Sequence, residues 1–102
     1  MNELVKEWIH KAENDLLDAE NNLRCPQIPT DTVCFHCQQV AEKYLKAYLI
    51  SQDKSFSKIH NLLRLMELCR EIDQDFSKLK NNLIILNDYA VEIRYPPACG
   101  LV

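Results

Sequence analysis

The sequence predicts an all-α fold, an up-and-down four-helix bundle, and three observations predict it. Apolar residues recur every three or four positions along most of the 102-residue chain. It contains one glycine and four prolines, too few turn-formers for an all-β architecture. The prolines and polar clusters fall between the periodic segments, which places helices near 2–24, 31–51, 58–72 and 76–94. A chain of this length closes a single core, so residues 1–102 read as one domain.

The first helix opens at Asn2, a fair N-cap, with Glu3 in the turn where an acid suits the helix dipole. Val5, Trp8, Ala12, Leu16, Ala19 and Leu23 form its expected buried stripe, with Trp8 as a core aromatic. Cys25-Pro26-Gln27-Ile28-Pro29 ends it, because each proline lacks an N–H and disfavours α conformation in the residue before it. Thr30 or Asp31 then caps the central helix.

That central helix is the most informative stretch. Val33, Cys37, Val40, Ala41, Tyr44, Ala47 and Tyr48, widened by Cys34, Leu45 and Leu49, make it apolar on most sides. Between them stand Gln38, Gln39, Glu42, Lys43 and Lys46, so part of its surface is expected to meet water, a ligand or another subunit. Residues 53–58 form a polar loop with Ser57 as the next cap, and Ile59, Leu62, Leu63, Met66, Cys69 and Ile72 then repeat at helical spacing. After a polar break capped by Asp75 or Ser77, Leu79, Leu83, Leu86, Ala90 and Ile93 mark the fourth helix, which Pro96 and Pro97 end.

A formal charge of −3 sets up no global basic field for nucleic acid, so any such binding rests on a local patch. No apolar run approaches the about 20 residues a membrane span needs, and the start has no signal-peptide pattern. The expected location is cytoplasmic. Five cysteines, an odd number, argue against a disulfide framework and for free thiols packed as small apolar side chains. Cys34 and Cys37 lack the second closely spaced pair that a four-ligand zinc site requires, so no metal and no cofactor is expected.

Four segments together resemble a known family. They are K-A-x-x-D-L-x-x-A at 11–19, Q-Q-V-A-E-K-Y-L-K-A-Y-L at 38–49, H-N-L-L-R-L at 60–65 and V-E-I-R-Y-P at 91–96. In this order the chain is similar to HEPN domains, the nucleotide-binding domains of higher eukaryotes and prokaryotes. The resemblance implies a small helical bundle that pairs as a homodimer. It also implies a nucleotidyltransferase partner in a toxin–antitoxin pair, and a nucleotide or RNA ligand. Active relatives are metal-independent ribonucleases with an Arg followed, four to six residues on, by His; in a variant a modifiable tyrosine follows that His.

The arginine maps onto Arg94. The positions where His would follow hold Cys99, Gly100 and Leu101, so the ribonuclease motif is incomplete and the modifiable tyrosine is missing as well. Arg94 can stabilise phosphate charge but is no ordinary base. Many relatives continue into a further helix after this segment, so the chain reads as a short or truncated form with Tyr89, Tyr95 and Leu101 as candidates for an uncovered surface.

Gln39, Glu42, Lys43, Lys46 and Arg94 are the residues expected to form a polar cleft for phosphate, with His60 as a further ligand-binding candidate. For the four on the central helix a solvated stripe is the competing reading. For His60 the competing reading is a polar residue satisfied near a helix N-terminus, and His36 is a helix-surface histidine that could face a cleft. Three functional classes stay open: a binding module working beside a nucleotidyltransferase, a ribonuclease whose acid–base group is His36, His60 or a residue beyond Val102, and a dimerisation scaffold.

Overall fold

The computed structural model describes residues 2–56 and 58–94, with the side chains of 89–94 outside the description. Four α-helices run in order: α1 Glu3–Leu23, α2 Thr30–Ser51, α3 Leu62–Ile72 and α4 Lys80–Arg94, with a short 3-10 helix, Gln74–Leu79, between the last two. There is no strand among the described residues. The architecture is the expected all-α bundle, with α2 packed against α1, α3 and α4.

Local signals set most of the boundaries. Asn2 caps α1 by accepting a bond from the Leu4 amide at 2.7 Å, and the proline pair ends that helix. α2 begins directly after Pro29 with no side-chain cap, and neither Thr30 nor Asp31 plays that part. α3 starts later than the expected Ser57 cap. Its N-cap is Asn61, whose Oδ1 accepts from the Leu63 and Arg64 amides at 2.9 and 3.1 Å. The described residues between α2 and Asn61 form an irregular loop instead, held by Phe56 and Ile59 against the core and carrying left-handed backbone at Asp53 and Lys58. The break before α4 is capped by Asp73, which accepts from the Asp75 amide at 3.0 Å, and residues 76–79 enter α4 through the 3-10 helix.

The core is built by α2, α3 and the start of α4. Leu45, Leu49, Leu62, Leu65, Met66, Cys69 and Leu83 are all buried, with Tyr48, Phe76 and Leu86 packed around them. The Cys69 thiol lies 3.7 Å from the Leu45 carbonyl, and burial pushes its pKa up to about 11. That fits the expected small apolar cysteine, whereas Cys34 and Cys37 are half-buried and Cys25 is exposed. Cys99 lies outside the described residues.

α1 packs differently from its expected stripe. Its buried positions are Val5, Ala12, Asp15 and Ala19, while Leu16 and Leu23 are 42% and 52% exposed. Val5, Ala12 and Ala19 are seven residues apart, and Trp8, Asp15 and Asn22 follow each by three. This is a heptad seam, the repeat that two long paired helices impose, whereas the expected stripe followed a free-standing 3.6-residue helix. Alanines at two of the seven-residue steps let the α2 backbone approach closely, and Asp15 takes the inward place that Leu16 was expected to hold.

Candidate functional site

The polar residues of α2 separate into two clusters. Gln38, Glu42 and Lys46 lie one turn apart on a single line of the helix and are all buried, at 2%, 6% and 3% exposure. A solvated stripe is therefore ruled out for Glu42 and Lys46. Glu42 Oε1 accepts from Gln38 Nε2 at 3.3 Å, and Glu42 Oε2 accepts from Lys46 Nζ at 2.9 Å. Gln39 joins by donating to Gln38 Oε1 at 3.1 Å. His60 comes in from the loop with Nδ1 2.9 Å from the same Glu42 Oε2 and 3.3 Å from Lys46 Nζ.

An aromatic pair encloses the lysine. Lys46 Nζ lies 5.4 Å from the Trp8 ring centroid and 5.3 Å from that of Phe56, and the two rings meet edge to face at 6.2 Å. The cation faces two ring quadrupoles while its charge is neutralised by Glu42. Trp8 is thus a half-buried wall of this cluster, with Lys11 Nζ 5.7 Å from its centroid on the outside.

The second cluster joins α1 to α2. Asp15 receives His36 Nδ1 on Oδ1 at 3.0 Å and Lys43 Nζ on Oδ2. His36 and Lys43 are seven residues apart on α2, the step that returns to the same side of a paired helix. Burial raises the Asp15 pKa, but the hydrogen bonds and charges of Lys43 and His36 more than offset it and hold the carboxyl below its ordinary range. His36 therefore faces α1 rather than an open cleft.

Of the expected site residues, Gln39, Glu42, Lys46 and His60 come together in one network, while Lys43 belongs to the other. His60 is not satisfied by helix amides; Glu42 holds it. The Arg94 backbone closes α4, and its side chain lies outside the described residues together with Cys99, Gly100 and Leu101, as do the side chain of Tyr89 and all of Tyr95. Asp15, Gln38, Trp8 and Phe56 were not singled out as site residues. The spacing of Gln38, Glu42 and Lys46 in successive turns was the signal for the first network. For Asp15 it was the seven-residue spacing of Val5, Ala12 and Ala19.

Asp15, Asp18 and His36 bring three possible metal-ligand atoms within 4.8 Å of one another. The Lys43 ammonium already sits on Asp15, so a cation there would meet a like charge. A cavity of about 290 Å³ lies elsewhere, on the far side of α2, lined by Ala41, Tyr44, Leu45, Tyr48, Phe76, Leu79 and Leu83. None of the expected site residues lines it.

The family profile of the HEPN domain matches residues 5–100. The chain belongs to the HEPN domain family. The match covers α1 from Val5 onward, the other three described helices and both clusters, so Asp15, Glu42 and His60 lie within it. Membership supports a nucleotide- or RNA-related module. Comparison with curated proteins and with solved structures gives no match. No helix among the described residues is long and apolar enough to cross a membrane.

Proposed function

We propose that this HEPN domain is a dimeric binding module for nucleotide or nucleic-acid phosphate that works beside a nucleotidyltransferase in a toxin–antitoxin-like pair in the cytoplasm. The observation that carries the reading is the network around Glu42. Four residues singled out for ligand contact sit in it, and its outermost member, His60, is 61% exposed at the side chain. Lys43 and Lys46 are each bonded to a carboxylate, so neither is a free counter-charge for phosphate. In this reading His60 supplies the contact, Lys11 beside Trp8 adds exposed positive charge, and Arg94 adds the guanidinium.

Fluorescence anisotropy with a labelled RNA and with labelled nucleotides tests it, alongside light scattering for the dimer and a reading of the neighbouring gene for a nucleotidyltransferase. Wild type should bind, and His60→Gln and Arg94→Ala should weaken binding, each in a salt-dependent manner. Unchanged affinity in both variants would leave a dimerisation scaffold.

The Glu42–His60 pair also favours a second, catalytic reading, in which His60 replaces the missing motif histidine as the base of an RNA-cleaving site. Incubation with a mixed RNA pool separates the two readings. Cleavage lost in both His60→Gln and Arg94→Ala would make the protein a ribonuclease.

A further inference from the structure

Two described histidines are tied through Nδ1 to a carboxylate, His36 to Asp15 and His60 to Glu42. They differ in what the rest of the ring meets. His36 is 20% exposed at the side chain and lies in the helix seam, whereas His60 is 61% exposed. His10 is exposed on α1 with no carboxylate partner among the described residues.

The geometry around His60 also assigns its tautomer. A bare Nδ1 would set its lone pair against that of Glu42 Oε2 at 2.9 Å, while an Nδ1–H donates to it. Lys46 Nζ stands farther from Nδ1, at 3.3 Å, and makes its own shorter bond to Glu42 at 2.9 Å, so the closer Glu42 contact governs Nδ1. The neutral ring therefore carries its proton on Nδ1 and its lone pair on Nε2, the nitrogen not engaged by the network. A buried carboxylate on the opposite nitrogen fixes the ring and stabilises positive charge that develops on it.

The structure assigns His60 a role as a phosphoryl acceptor, its Nε2 taking the phosphoryl group of an acyl phosphate or a nucleoside triphosphate. This chemistry goes beyond ligand binding at the site and stands without an RNA partner. The Nε2 lone pair attacks phosphorus and an N–P bond forms. The bond from phosphorus to the bridging oxygen breaks, and the carboxylate or nucleoside diphosphate leaves with that electron pair. No proton moves: the ring keeps its Nδ1–H and becomes an imidazolium whose charge faces Glu42. Lys46 Nζ, on the Nδ1 side of the ring and bonded to Glu42, is not the counter-charge for the phosphoryl group.

The test is incubation of the full chain with acetyl phosphate in one arm and magnesium ATP in the other, followed by intact mass and peptide mapping. The expected result is one added phosphoryl group on His60, stable in base and lost in mild acid as an N–P bond requires. A label from only one donor identifies the source, and labels from both show that the leaving group is not selected. His60→Gln should abolish the label, and Glu42→Gln should slow it by roughly tenfold or more, a difference of about 1.4 kcal/mol in barrier. Nitrogen NMR of the wild-type rings reads the tautomer whether or not the Glu42 variant folds, and should find Nε2 of His60 unprotonated in the neutral ring. No label from either donor, equal labelling of His10 or His36, or a neutral His60 ring protonated at Nε2 would each overturn the assignment.

Discussion

The two carboxylate clusters use the same three groups, an acid shared by a lysine and a histidine, and place them in different surroundings. Glu42 and Lys46 are 8% and 4% exposed at the side chain, enclosed by Trp8 and Phe56, and the histidine arrives from a loop. Asp15 and Lys43 are 12% and 22% exposed, and both basic partners come from the facing helix. The first pins His60, just ahead of α3, onto α2, and the second pins α1 to α2. Burial makes the first a liability when broken, since a charge left alone there has neither water nor partner. The second lies near enough to solvent for water to take over part of the lost bonding.

The largest expected effect separates them directly. Glu42→Ala should destabilise the fold by about 3–5 kcal/mol, because it strands Lys46 among aromatic rings. Replacing both partners, Glu42→Leu with Lys46→Met, should cost markedly less than the single change. Urea unfolding of the two variants checks this, and a double variant weaker than the single one would show that the pair itself supplies net stability. Asp15→Ala should cost less than Glu42→Ala, about 1–3 kcal/mol, since His36 and Lys43 can turn toward water.

Acid should act through Asp15. Its folded pKa lies below the ordinary carboxylate value, so the folded state binds fewer protons there than the unfolded chain. The stability this contributes is complete above the unfolded pKa and is lost as pH falls through the folded one. Thermal melts of wild type and Asp15→Asn should therefore converge below about pH 4, the ordinary carboxylate range, and diverge above it. A gap that persists in acid would show that packing, not charge, holds the seam.

The smallest effects are at residues that touch neither cluster. Leu16→Ser should change stability by no more than about 0.5 kcal/mol, because Leu16 is 42% exposed beside the inward-facing Asp15. A loss of several kcal/mol would mean that a second subunit covers that face. Thiol reagents should modify exposed Cys25 fast and Cys69 only on unfolding, with burial and the raised pKa both slowing the latter.

Much of the fold was legible because its signals are local. Asn2, the proline pair after Cys25 and the spacing of Leu62, Leu65, Met66 and Cys69 act within one helix turn of themselves. The helix-3 boundary was not. Asn61 outcompetes Ser57 because the preceding loop is held back by Phe56, Ile59 and His60, whose partners are on α1, α2 and the core. In the site, Glu42 and Lys46 were legible as a pair by their four-residue spacing, but their burial was not. Polar residues on a helix read as solvated until a neighbour is known to cover them.

The sequence by itself determined the helical class, the order of four helices and the family, since these follow from periodicity, chain-breaking residues and motif order. Only the tertiary structure decided that Asp15 points inward and Leu16 outward, that Lys46 is caged and that His60 answers to Glu42. The reason is that pairing α1 with α2 changes the repeat a helix face must obey. A salt bridge between residues 18 or 28 positions apart leaves no trace in local spacing.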